Sequence, residues 1–537
     1  MKKIKFFPLV IAVVFSLISL CGCNDDDEFD GAGHSFTYTL YGNPQNLDPQ
    51  LAEDRSSLMV IKNMFLGLMT TGLEGELCYG VAVNHHMSDD GLTYSFTLRD
   101  DCHWYSNDGT DMIVTAHDFV YAFKRIFNPV NRSPYREKFS FLKNARAIID
   151  GQMDYSELGV YAVNNTELVF LLEEPNSEFL YLLTTSPAMP CNRQFFESTK
   201  ARYGLDDESV ISNGAFYMTQ WSYDPYGNDN LIYMKRNYDN SAYDRVYPYM
   251  LTFIIERNVS ALTENFENSE TELLVSENAR KKTFMDIYNT EDYETISAGI
   301  IFNSKYNVDE KIKKALSLSV ERDELAALDS ENLNAAYAIV PGSMTYAGVN
   351  YREYNPDREY QFYSEEIPEI SESMKEDFYR TCPDNIRILV RNKSDSGLLG
   401  RVVEDWQENL GLYISIEYAE DDEYYSRLEN GDYFMAFIEV TSEDSTVYYF
   451  LNNFVNSVLY GYKAQSIMNI LEESVILSDK YEINDLYRKA ENEILNSCEY
   501  IPLFYKRIFL IRRKSAKDII FSPFSGQLDF RYAKFFE

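Results

Sequence analysis

The chain is poor in positive charge: 49 Lys+Arg stand against 85 Asp+Glu, a net −36 over 537 residues. Nucleic acid is bound through Lys/Arg clusters that displace counterions, so this balance excludes nucleic acid as the main partner. It also opposes unaided adsorption to an anionic lipid surface. Histidine is scarce, with only His34, His85, His86, His103 and His117. None sits in HExxH or beside a cysteine at metal-ligand spacing, and GxSxG and GxxxxGK[ST] are absent. His85 and His86 are adjacent and cannot face one metal from the same side of a helix or strand; a loop is the expected setting. Metal and serine-nucleophile chemistry thus lack support, and no cofactor is expected. Five cysteines follow the first two dozen residues: Cys78, Cys102, Cys191, Cys382 and Cys498. An odd number without CxxC spacing is no disulfide framework, and buried free thiols are expected. No long Pro/Gly linker, short-period repeat or low-complexity stretch follows residue 35.

What is present begins with an export signal. Lys2, Lys3 and Lys5 precede Phe6–Leu20, an uncharged run of 15 residues. That is short for a membrane span, which takes about 20 residues, and suits a secretory core segment. Leu20-Cys21-Gly22-Cys23 resembles a bacterial lipobox, with Leu20 at −3 and Gly22 at −1 from Cys23. Cys21 fits poorly, because bulky Leu20 would occupy its −1 position. Residues 1–22 are read as a lipoprotein signal peptide, and 23–34, with Asp25-Asp26-Asp27-Glu28 and Gly31, as a flexible acidic tether. The chain is expected to be exported and held by lipid on the outer face of a bacterial cytoplasmic membrane.

In the body, helical and strand-like patterns alternate, which indicates an α/β architecture. Phe36, Tyr38 and Leu40 alternate as one face of a strand, as do Tyr94, Phe96 and Leu98. Asn107-Asp108-Gly109 predicts a tight turn. Thr115 and Asp118 have capping-box spacing at the head of a helix whose stripe is Phe119, Ala122, Phe123 and Ile126. Asp309 caps another, with Ile312, Leu316 and Val320 on one side. Leu399, Val402, Val403, Trp406 and Leu410 form a third stripe, stopped by Gly411. Ile414, Ile416 and Tyr418 alternate as a strand, and Tyr433–Val440 has the composition of a strand buried on both faces. Tyrosine is abundant (43 residues), and core packing accounts for that without a functional role.

Pro44-Gln45-Asn46-Leu47-Asp48-Pro49 resembles the opening of bacterial oligopeptide-binding proteins, the receptors of peptide ABC importers grouped as extracellular solute-binding protein family 5. Phe65-Leu66-Gly67-Leu68, Gly80-Val81-Ala82, Ser88–Arg99, Trp104, Asp108-Gly109 and Val114–Ala122 follow in the family's order. Ser212-Asn213-Gly214-Ala215-Phe216, Lys235-Arg236-Asn237-Tyr238, Phe302-Asn303, Ala315–Asp323, Ile339-Val340-Pro341, Gly431-Asp432-Tyr433 and Ile501-Pro502-Leu503 extend the match over nearly the whole mature chain. The resemblance implies a two-lobed periplasmic-binding-protein-like fold of the large three-domain type, a clamp that closes about a two-strand hinge. Lobe I is expected at 35–64, 192–290 and 503–537, an inserted domain at 65–191, and lobe II at 291–502.

The resemblance also implies a ligand site. Peptide backbone would add as a β-strand against Val275-Ser276-Glu277-Asn278, with a second backbone contact at Thr441-Ser442. The acid that pairs with the peptide's α-ammonium aligns with Glu443, or with Asp444 if the register slips by one. The tract departs from the family pattern: Glu439, Val440 and Val447 replace its Gly, Trp and Pro. Phe437 and Leu428 stand where some members carry basic residues for the peptide C-terminus. The expected function is capture of oligopeptides by a monomeric receptor and delivery to ABC permease subunits. Alternatives are non-peptide cargo on the same fold (a nickel chelate, haem or an oligosaccharide), or a surface enzyme or adhesin on this scaffold. Scarce histidine weighs against nickel, and the dispersed Trp104, Trp221 and Trp406 weigh against sugar.

Overall fold

The computed structural model describes residues 34–536, apart from 110, 228, 239–245, 279–286, 347–348, 382–385, 443–444, 459–460 and 478. Cys23, Cys382, Glu443 and Asp444 lie outside the described residues.

Strand Ser35–Tyr41 buries Phe36, Tyr38 and Leu40 as the alternation requires. It pairs in parallel with Met250–Glu256, at the edge of a four-stranded sheet completed by Leu231–Arg236 and Phe216–Ser222. A second four-stranded sheet is built on Thr93–Leu98, flanked by Ala82–Met87 and Glu167–Leu171. Helix Ala116–Phe127 covers the segment; Asp118 accepts from the Thr115 N–H (2.8 Å) and hydroxyl (3.2 Å). One continuous core joins these two sheets, from Phe36 through Leu273, and takes in Leu510, Ala516, Leu528, Phe530 and Ala533 from the C-terminus.

The third sheet is mixed and has seven strands. At its centre two long strands, Asn289–Phe302 and Tyr500–Arg512, run antiparallel along nearly their full length. Their 289–294 and 507–512 ends lie beside Leu273–Ser276, which is an edge strand. Their other ends lead to Met435–Val440, Arg387–Val390 and Ser415–Tyr418, on cores of their own. The chain thus crosses between two packed units on this strand pair, with a register irregularity at Glu294/Ile296 midway. A paired ribbon bends more readily than a packed layer, as a hinge for domain closure demands. The fold is two-lobed α/β.

Helix Lys393–Leu410 ends at Gly411 in the left-handed region (φ 65°), where glycine has no Cβ penalty. Three expectations need correction. His85 and His86 lie in a strand, Ala82–Met87, not a loop: the edge position tolerates polar side chains, and His85 stacks on Phe96 (5.7 Å) and bonds Tyr79 Oη (2.9 Å). The helix capped by Asp309 stops at Leu318, so Val320 is buried just beyond it. Strand Ser415–Tyr418 forms and turns Ile416 onto the core, with Ile414 buried just before it, but as an edge strand it leaves Tyr418 exposed. Cys102, Cys191 and Cys498 are buried free thiols, and Cys78 is a half-buried one.

Candidate functional site

A cleft of about 1200 Å³ opens where the two long strands pass from one unit to the other. Small-ligand pockets measure roughly 300–1,000 Å³, so this one suits an extended ligand. Helix Arg55–Met64 contributes Arg55, Leu58 and Lys62 to one wall, with the Thr184–Pro187 and Ile520–Gln527 segments beside it. The floor is Asp292, Tyr293 and Glu294 of the crossing strand, and the far wall includes Asn334, Asn350, Thr441, Ser442, Thr446 and Tyr449.

The floor is tied to both walls. Tyr293 meets Phe521 edge-on at 5.3 Å. Glu294 accepts from Asn334 Nδ2 at 2.5 Å and from the Gly342 N–H at 2.9 Å. Burial pushes the Glu294 carboxyl above the usual range, against the lowering effect of those donors. Asp292 pairs with Arg507 at 3.1 Å. Thr441 and Ser442, expected at the site, line the cleft just past the end of strand Met435–Val440. Thr441 Oγ1 donates to the Thr295 carbonyl at 3.3 Å, which holds that wall to the crossing strand.

Val275, Ser276, Glu277 and Asn278 are not among the residues lining this cleft. Val275 and Ser276 end the edge strand Leu273–Ser276, paired on one side with Tyr500–Arg512. Ser276 Oγ and Asn278 bond each other locally, and Glu277 is exposed. Sequence reasoning missed Arg55, Lys62, Tyr293, Glu294, Tyr449 and Phe521. For Arg55, Leu58 and Lys62 the signal was there in i, i+3, i+7 spacing, which sets the three on one helix face. The tryptophans are elsewhere: Trp104 and Trp406 are fully buried, and Trp221 bonds Asn43. Among the described residues no group of three or more His, Cys, Asp and Glu is arranged to hold a metal, and no helix is long and apolar enough to cross a membrane.

Residues 46–461 match the sequence profile of bacterial extracellular solute-binding proteins, family 5 middle. The chain belongs to that family. It is 25% identical to the oligopeptide-binding protein OppA of Bacillus subtilis, with both chains covered completely. It is 23% identical to the dipeptide-binding protein DppE of the same organism, over 99% of each. Among solved structures, the unliganded open form of the murein tripeptide-binding protein MppA superposes with a TM-score of 0.73 at 20% identity, over 93% of this chain and 97% of that one. Listeria monocytogenes OppA bound to peptide gives 0.66 at 18% identity, over 94% and 99%.

The family motifs turn out to be one another's partners. Asn213 accepts from the Leu66 N–H (3.1 Å) and donates to the Leu66 carbonyl (2.8 Å), joining Ser212–Phe216 to Phe65–Leu68. A Cβ on Gly214 would come within 2.6 Å of the Met64 backbone, so only glycine fits that approach. Asn303 donates to the Gly431 and Tyr433 carbonyls at 2.8 and 2.7 Å. Arg322, 1% exposed, donates from Nε to the Pro502 carbonyl at 2.8 Å. These family residues build the scaffold that sets the walls of the cleft apart; they do not touch it.

Proposed function

We propose that this family 5 protein is a lipid-anchored receptor that captures oligopeptides in the central cleft and hands them to an ABC import permease. The observation that carries the reading is the cleft itself: about 1200 Å³ at the crossing strands of a two-lobed fold, with polar wall residues such as Thr441 and Ser442. The names of the full-length relatives, oligopeptide- and dipeptide-binding proteins, point the same way. The division proposed from the family resemblance is lobe I (35–64, 192–290, 503–537), inserted domain (65–191) and lobe II (291–502).

Backbone recognition suits a receptor of many sequences, because N–H and C=O groups are common to all peptides. Val275-Ser276-Glu277-Asn278, at and beyond the end of edge strand Leu273–Ser276, and Thr441-Ser442 are the proposed backbone contacts; the proposed acceptor for the α-ammonium is Glu443, or Asp444 if the register slips by one, from sequence position alone. No catalytic role is proposed. Closure must be driven by tighter ligand contacts in the closed than in the open state. Small-angle scattering with a tetrapeptide library tests it: the radius of gyration falls on saturation, and an unchanged radius contradicts a clamp.

The anchor is proposed at Cys23, from Leu20 and Gly22 before it. Palmitate labelling in a bacterial host should tag the wild type and not Cys23→Ala. Loss of label in Cys21→Ala alone would move the cleavage site.

A further inference from the structure

We propose that Lys62 is the anchor for a carboxylate of the ligand, which makes the cleft selective for peptides carrying a free C-terminus or an acidic side chain. The inference rests on the peptide-receptor reading. Lys62 lies on helix Arg55–Met64, half-buried, and lines the cleft. No hydrogen bond or ion pair to its ammonium is made by the described residues. The carboxylate that most raises its proton affinity, Asp529, is already engaged: Oδ2 pairs with Arg531 Nη2 at 3.0 Å and Oδ1 accepts from the Arg531 N–H at 3.1 Å.

In a chain of net −36, where Lys and Arg commonly have acid partners, a lone ammonium in a cleft is a departure. Burial lowers its proton affinity from the ordinary lysine value, and Asp529 offsets that only in part; an arriving carboxylate would favour the charged ammonium. Arg55, seven residues earlier on the same face, also lines the cleft and also has no ion pair or hydrogen bond among the described residues. Two turns of helix put it roughly 10 Å along the wall, and Arg55 is exposed.

The test is retention of peptides by the full-length protein, read by mass spectrometry after desalting. The probes are a tetrapeptide library with free C-termini, the same library C-terminally amidated, and an amidated library without Asp or Glu. Wild type should retain carboxylate-bearing peptides at least tenfold over the carboxylate-free set. Lys62→Met should abolish that preference, and Lys62→Arg should keep it. Preference for the first library alone assigns the C-terminus; equal preference for acidic amidated peptides assigns the side chain. Equal retention of all sets by wild type overturns the proposal, as does a preference that survives in Lys62→Met, or loss of every peptide in that variant. If wild type retains no peptide at all, the receptor reading itself falls.

Discussion

Arg125 embraces Asp48 across the boundary between the N-terminal segment and helix Ala116–Phe127. Nη1 donates to Oδ1 at 3.1 Å and Nη2 to Oδ2, with both side chains about 95% buried. Gln50 and the Cys191 thiol take further Nη1 contacts, and Phe196 covers the guanidinium at 4.0 Å. Asp48 belongs to the Pro44–Pro49 motif, so the motif acts here as a clasp.

Removing one partner of a buried pair leaves the other charge uncompensated, at a cost of about 3–5 kcal/mol. Asp48→Asn should lower stability by that amount in urea unfolding followed by tryptophan fluorescence. A change below about 1 kcal/mol would show that the pair contributes little.

Glu491 should make the second unit acid-sensitive. It is fully buried, pairs with Arg352 at 2.6 Å, and accepts from the Ile339 and Val340 N–H groups at 2.8 and 2.7 Å. Burial alone would push its carboxyl up, but Arg352 and the donors hold it below the usual value. A depressed folded value means the unfolded chain binds the proton first. The stabilisation is therefore complete above the unfolded glutamate value, about 4.3, and is lost as pH falls through the folded one. Wild type should lose stability steeply below about pH 4.5. Glu491→Gln should be weaker at neutral pH by about 3–5 kcal/mol and show a flatter acid limb. Parallel acid limbs in the two proteins would refute the assignment.

Gly299 lies in the crossing strand, where an added Cβ would sit 2.4 Å from the Ile501 carbonyl oxygen and 2.5 Å from the Tyr500 ring. Gly299→Ala must force the two long strands apart and should cost about 1–3 kcal/mol. Gly397, exposed in helix Lys393–Leu410 with open space around it, is the control. Gly397→Ala should be neutral or stabilising by up to about 1 kcal/mol. Differential scanning calorimetry separates the two, and equal shifts would refute the packing argument.

Glu443→Gln should weaken binding of free peptides more than tenfold, since a hydrogen bond to a charged group contributes about 1.5–3 kcal/mol. The loss should vanish for N-acetylated peptides, and Asp444→Asn should do little. Calorimetric titration of both variants decides it: reversed results move the acceptor to Asp444, and small equal losses leave both as solvated acids.

The scaffold was legible where local chemistry decides structure. Alternation of Phe36, Tyr38 and Leu40, the Thr115–Asp118 cap and the Gly411 stop each act within a few residues. Pairings such as Asn213 with Leu66 or Arg322 with Pro502 span large sequence separations, and nothing in either motif names its partner. His85-His86 misled because a polar edge strand has the composition of a loop. Thr441 and Ser442 came from family resemblance. Lys62 stayed hidden because a cation on a helix normally reads as a solvated face, and only the tertiary fold turns that face into a wall of the cleft.

The most direct test is native mass spectrometry of the protein purified from its host without unfolding. A captured ligand in a closing cleft leaves slowly, so a ladder of adducts should be seen, and on denaturation these should resolve into oligopeptides of mixed sequence. Adducts of one non-peptide mass, such as a haem or a sugar, would contradict the peptide-receptor account.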